Sequence, residues 1–271
     1  MDRRLTPATD RVALETLRGK LERPSWTKGR PARLVVPLAD LLAAPAGRRD
    51  RQVNFGADLT VVEERDGMAF VQAALDGYCG WLSAAALTFD LPALTHRVTA
   101  PATHVYPAPD FKQIEVMALS LGAHLSVDEV EQGFARLVTG GYVPLQHIGG
   151  SPAKDPVVVA ESLLGTPYLW GGNSRAGIDC SGLVQAALTA CGISCPGDSD
   201  LQKDRFPVTD AIRRGDLLFW PGHVAMAVSE DRMIHATAWT MTVIHEPIRD
   251  AMSRIDAAGQ GPFHGARRPR T

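Results

Sequence analysis

The chain has 271 residues, 45% of them hydrophobic and 21% charged, and its formal net charge is −2. This composition excludes a largely disordered chain, and the length suits one medium domain with one or two small ones. So balanced a charge offers neither the basic field that nucleic acid requires nor a polybasic patch for a membrane, which leaves a small or neutral substrate as the partner.

The first ten residues lack the run of about seven apolar residues that a signal-peptide core needs, and no stretch is long enough to span a bilayer, so a cytoplasmic location is expected. There Cys79, Cys180, Cys191 and Cys195 read as reduced thiols. Cys191 and Cys195 have no second Cys or His pair at ligand spacing nearby, so neither a metal nor a cofactor is expected. Residues 10–22 carry apolar positions at Ala13, Leu14, Leu17 and Leu21, which predict a short amphipathic helix ended by Pro24. A basic linker, residues 26–33, follows.

From Leu34 the texture turns to short β-type runs at 34–38, 59–62, 69–72 and 80–82. The block repeats. Residues 55–61 align with 121–127, and the same offset of 66 carries Gly67 to Gly133 and Val71 to Leu137. This predicts tandem small barrels of about 60 residues each. The expected segments are an N-terminal helix and linker (1–32), a first barrel (33–92), a second barrel (93–150) and a C-terminal domain (151–271). Residues 155–164 read as a helix leading into that domain.

Residues 167–183 read as an aromatic strand end, a glycine-rich turn and a helix beginning near Cys180. Leu183, Val184, Ala187, Leu188 and Cys191 set its apolar stripe, and Gly192 stops it. Asp179 is the candidate N-cap. A cysteine in a first helical turn meets unpaired N–H groups and the positive dipole end, which favour a thiolate, so its pKa is expected to be lowered. A turn and helix start follow at 195–202. From Gly215 the pattern is strand: 216–220, 223–228, 232–236 and 241–244. Helices followed by an antiparallel sheet define an α+β domain.

Tyr168-Leu169-Trp170-Gly171-Gly172, Asp179-Cys180-Ser181-Gly182, Arg214-Gly215-Asp216, Gly222-His223-Val224-Ala225-Met226 and Met233-Ile234-His235-Ala236 occur in the order and spacing of the NlpC/P60 cysteine peptidases. The resemblance implies a papain-like α+β fold over residues 151–271 and hydrolysis of bacterial cell-wall peptides. The two preceding blocks resemble bacterial SH3 domains, an arrangement similar to the dipeptidyl-peptidase VI type of γ-D-glutamyl-L-diamino-acid peptidase.

A cysteine hydrolase needs a base for the thiol proton and a third group to orient the imidazole. His223 opens a strand after Pro221-Gly222 and is the candidate base. His235, on the next strand, is the candidate orienting residue, and a hairpin turning near 229–231 would set the two rings opposite each other. The other histidines, His96, His104, His124, His147, His245 and His264, read as surface or hydrogen-bonded core residues. The Cys180 N–H is one oxyanion donor, and the resemblance implies Tyr168 as another. Trp170 reads as a pocket wall. The two-barrel resemblance further implies that Asp179, Ser181, Ser199 and Tyr78 hold the free amine of an N-terminal L-alanine, the substrate being L-Ala-γ-D-Glu-L-diamino acid in cell-wall recycling. The alternatives are a general endopeptidase or amidase on intact wall, and a wall-peptide binding module without activity.

Overall fold

The computed structural model describes residues 1–270. The chain divides into two units, residues 1–150 and the remainder from Ser151.

In the first unit the predicted N-terminal helix does not form. Val12–Leu14 is a strand paired in parallel with Ser25–Thr27, and the next three residues, Glu15–Leu17, are a single 3₁₀ turn. Gly19, at φ 77°, and Pro24 leave too short a run for a stable helix. The apolar residues go instead to sheet packing, with Leu14 against Phe70 and Trp81. The run at 34–38 is likewise split: strands Arg30–Leu34 and Leu38–Leu42 flank a corner that contains Pro37.

A seven-stranded sheet forms the first barrel, in the order Arg49–Asn54, Leu38–Leu42, Cys79–Ser83, Met68–Ala73, Asp58–Arg65, Arg30–Leu34, Leu87–Thr88. The region after it has shorter strands, from His96–Val98 to Ile148–Gly149, in sheets of three, two and three strands, and one of its hairpins repeats a hairpin of the first barrel at the offset found in the sequence. The hairpin of Asp58–Arg65 with Met68–Ala73 has its bulge between Val61 and Glu63, and the later hairpin of Val127–Glu131 with Phe134–Leu137 has one between Val127 and Glu129. Both hairpins turn on two consecutive left-handed residues, Asp66-Gly67 and Gln132-Gly133. Two positive φ values in succession are what a tight type I′ hairpin requires.

The second unit is built on a six-stranded antiparallel sheet, in the order Val208–Thr209, Ala266–Arg267, Leu217–Trp220, His223–Ala227, Arg232–Thr237, Thr242–Pro247. Four helices accompany it: α1 (Pro156–Glu161), α2 (Cys180–Ala190), α3 (Ser199–Arg205) and α4 (Ile248–Ala257). Helix α1, capped by the Asp155 carboxylate on the Val157 N–H, is shorter than the sequence pattern and packs on α2. Helix α2 lies against the strands His223–Ala227 and Arg232–Thr237, with Leu183, Val184, Ala187 and Leu188 buried. It ends in a Schellman-type turn, in which the Gly192 N–H donates to Thr189 and the Ile193 N–H to Leu188, with Gly192 left-handed at φ 77°. Helix α4 puts Ile248, Ala251 and Ile255 into the cluster formed by Leu218, Trp220, Ala225 and Met233.

The Arg214-Gly215-Asp216 motif proves to be structural. Asp216, 1% exposed, accepts two hydrogen bonds from the Arg268 guanidinium, both at 2.8 Å, and one from the Arg213 N–H. It thereby fastens the end of the chain to the entry of the Leu217–Trp220 strand.

Candidate active site

Asp179 sets the site. Its backbone is extended, and its Oδ1 accepts the Gly182 N–H at 2.7 Å, the N-cap bond that starts α2. Oδ2 accepts the Gly171 N–H at 2.8 Å, and the Ser181 hydroxyl donates to Oδ1 at 3.0 Å. One carboxylate therefore closes the glycine-rich turn onto the helix start. The glycines permit it: a Cβ on Gly182 would stand 2.5 Å from the Gly172 carbonyl oxygen, and one on Gly172 would stand 2.6 Å from that of Gly177. No side chain fits between backbones so close.

Cys180 is the first residue of α2 and is buried. Hydrogen bonding from the backbone at Val224, Ser181 and Cys180 itself favours its thiolate, yet burial outweighs it, and with the Asp179 charge pushes the thiol up to about 12. The lowered pKa expected from the helix start is thus overturned. A helix terminus stabilises charge only modestly, and full burial costs more.

His223 lies next to Val224, at the beginning of its strand. The strand pairing sets Met226 against Ile234 and Ala227 against Met233. The two imidazoles therefore stand on the same sheet face but are diagonal rather than directly opposite. His223 Nε2 is 2.9 Å from His235 Nδ1, with the rings at 66°. Burial, the neighbouring His235 and Arg254 push His223 down to about 3, against the opposite pull of Glu246. In the closed site both partners are accordingly neutral, a thiol and an imidazole. Hydrolysis that needs neutral His223 should then persist as pH falls below the ordinary histidine value of about 6.5. A kcat/KM profile with its acid limb well below that value is expected; a limb at 6.5 or above would show a base free of this burial.

Tyr168 joins the site through two backbone contacts, a hydrogen bond from its N–H to the Met241 carbonyl at 2.9 Å and a bridge to Ile178. Burial and the nearby Cys180 and Asp179 raise its phenol, so the hydroxyl remains a donor. Tyr168, Trp170, Trp220, His223, Trp239 and Arg254 line a cleft of about 700 Å³. Trp170, 68% exposed, is one of its outer walls. Ser199 opens α3, which Gln202 ties to α2 by donating to the Ser181 carbonyl at 3.0 Å. Tyr78 belongs to the first unit, where it is a core side chain packed with residues such as Leu34, Leu41 and Val71, and the Arg51 guanidinium lies 5.0 Å from its ring centre.

Two residues of the site were not found by sequence reasoning. Glu246, 6% exposed, stands with Oε2 3.0 Å from His235 Nε2. Arg254 donates to it from Nη2 at 2.7 Å and from Nε at 3.0 Å. Burial works against the Glu246 charge, but the adjacent His235 imidazole and the Arg254 guanidinium hold its carboxyl down to about 2. A signal existed: Glu246 stands two residues after Ile244, on the same face of its strand, where a carboxylate needs a partner if the face is covered.

A cysteine at a helix start, packed on a sheet that carries a hydrogen-bonded imidazole pair, defines a papain-like thiol hydrolase. Residues 165–256 match the NlpC/P60 family, and residues 41–87 match one bacterial dipeptidyl-peptidase SH3 domain. The chain is 27% identical over 226 residues to the gamma-D-glutamyl-L-lysine dipeptidyl-peptidase of Bacillus cereus, covering 70% of this chain and 68% of that one. It is 27% identical over 239 residues to dipeptidyl-peptidase 6 of Lysinibacillus sphaericus, covering 75% and 86%. The fold matches the crystal structure of an NlpC/P60 family protein from Bacillus cereus with a TM-score of 0.75 at 22% identity, over 89% of this chain and 99% of that chain. The chain thus carries an NlpC/P60 domain and, ahead of it in sequence, a bacterial SH3 domain, and it is homologous to gamma-D-glutamyl-L-lysine dipeptidyl-peptidases. No helix among the described residues is long and apolar enough to cross a membrane.

Proposed function

We propose that the protein is a cysteine peptidase that cuts the bond between γ-D-glutamate and the L-diamino acid in short murein peptides bearing a free N-terminal L-alanine, in cell-wall peptide recycling. The observation that carries the chemistry is the 2.9 Å contact of His223 with His235 beside Cys180 at the start of α2. The substrate is supported by the name of the Bacillus cereus relative, a gamma-D-glutamyl-L-lysine dipeptidyl-peptidase. A cytoplasmic site of action suits such freed peptides and four cysteines that form no disulfide among the described residues.

In this reading Cys180 Sγ attacks the γ-carbonyl carbon as its proton passes to His223. The tetrahedral oxyanion faces the Cys180 N–H and the Tyr168 hydroxyl, donors that gain strength as charge develops. His223 then returns the proton to the nitrogen of the departing diamino acid, and water, deprotonated by the same imidazole, hydrolyses the thioester. Asp179 with Ser181 and Ser199 is proposed to hold the alanine ammonium, because a carboxylate beside hydroxyls suits three N–H donors. The first-barrel Tyr78 is the fourth candidate named by the resemblance.

Release of lysine from L-Ala-γ-D-Glu-L-Lys should be stopped by iodoacetamide and unaffected by EDTA. Activity lost in EDTA and restored by zinc would refute a thiol mechanism.

A further inference from the structure

Two histidines in contact do not define which way their hydrogen bond runs. A neutral imidazole carries one proton, so His223 Nε2 can donate to His235 Nδ1 or accept from it. Only the first arrangement leaves His223 Nδ1 unprotonated and free to act as a base. The choice depends on what meets the far nitrogen of His235, which is fully buried.

That nitrogen meets Glu246. Oε2 is at 3.0 Å, to one side of the N–H axis, so the contact is an ion-pair approach rather than an in-line hydrogen bond. Glu246 cannot turn to another partner at little cost, because Arg254 grips both of its oxygens. Arg254 is itself placed by α4 and lies over the Trp239 ring at 4.3 Å. The neighbouring His245 sits on the other side of the strand, with Nε2 3.2 Å from Glu161. The groups that bear on His223 are therefore His235, Glu246 and Arg254, with the Trp220 ring 5.8 Å away, and α2, which begins at Cys180, packs on the same strand.

We infer that Glu246, clamped by Arg254, is a positioning residue that fixes His235 as the Nε2–H tautomer and so makes His223 donate through Nε2 and keep Nδ1 as the base. A carboxylate is an acceptor only, so a proton on His235 Nε2 is stabilised and a lone pair there is repelled. His235 Nδ1 then carries the lone pair that receives the His223 proton. The chain Arg254, Glu246, His235, His223 sets one proton arrangement through three contacts, and the carboxylate further stabilises the imidazolium formed during attack. The inference rests on the reading of His223 as base but not on the identity of the peptide.

The test uses the full chain labelled with ¹⁵N-histidine, with the His235 signals assigned by their loss in His235→Gln. Wild type should show His235 protonated at Nε2. In Glu246→Gln the amide oxygen takes the position shared by the two donors, His235 and Arg254, so the tautomer should survive and kcat fall about tenfold as the charge is lost. In Glu246→Leu the tautomer should be lost and kcat fall about a hundredfold with KM within twofold, and iodoacetamide inactivation at neutral pH should slow in parallel. A folded Glu246→Leu enzyme with kcat near wild type would overturn the inference. So would a wild-type spectrum with the His235 proton on Nδ1, an outcome that needs no variant to fold and no substrate to be cut.

Discussion

Cys180→Ala should abolish hydrolysis, lowering kcat by about four orders of magnitude or more, while thermal unfolding stays close to wild type. The substitution removes one sulfur atom at the start of α2 and leaves the Asp179 cap and the buried stripe of that helix untouched. No other cysteine stands at a helix start: Cys79 lies in a strand, Cys191 is the C-cap of α2, and Cys195 is buried with its carbonyl bonded by Gln185. His223→Ala should lose about as much, because the thiol, raised by burial, has no other base to receive its proton. His235→Ala should cost less in the chemical step, since it acts through His223. It should also destabilise the fold, because it opens a cavity and leaves the buried Glu246 without its imidazole. Losses in double variants should not add, since these residues act as one unit.

Acetylating the alanine amine of L-Ala-γ-D-Glu-L-Lys should lower kcat/KM by about a hundredfold or more, the equivalent of about 3 kcal/mol. Asp179 accepts two backbone N–H groups and the Ser181 hydroxyl, neutral donors to which an ammonium would add a full positive charge. The acetyl group removes the charge and the extra donors together. Muropeptides whose alanine amine is blocked by the lactyl sugar should be refused for the same reason. Competition of the free and acetylated tripeptides, followed by separation of the products, measures the ratio. Equal rates would favour a general wall endopeptidase and remove the ammonium site while leaving the thiol chemistry intact.

The features legible in the sequence were those set by local chemistry. The Asp-Cys-Ser-Gly turn announced its helix because capping and apolar period are short-range properties, and the offset of 66 exposed the repeated hairpin because such a turn needs left-handed residues each time. What depended on distant partners was hidden. The Val12–Leu14 strand took its form from pairing with Ser25–Thr27 rather than from its own periodicity. The thiol pKa was misjudged because the helix start is visible in the sequence and the burial that outweighs it is not. Glu246 escaped because its role comes from strand register and from Arg254 on the following helix, neither of which a motif records. Asp216 belongs to a motif that carries the family resemblance, but the partner it holds, Arg268, lies outside that motif.

The most direct measurement is product identification by mass spectrometry after incubating L-Ala-γ-D-Glu-L-Lys, and its diaminopimelate analogue, with the wild-type enzyme and with Cys180→Ala. The account predicts L-Ala-γ-D-Glu together with the free diamino acid from wild type, and intact tripeptide from the variant. Cleavage at the L-Ala–D-Glu bond, or equal product release by the variant, would contradict it.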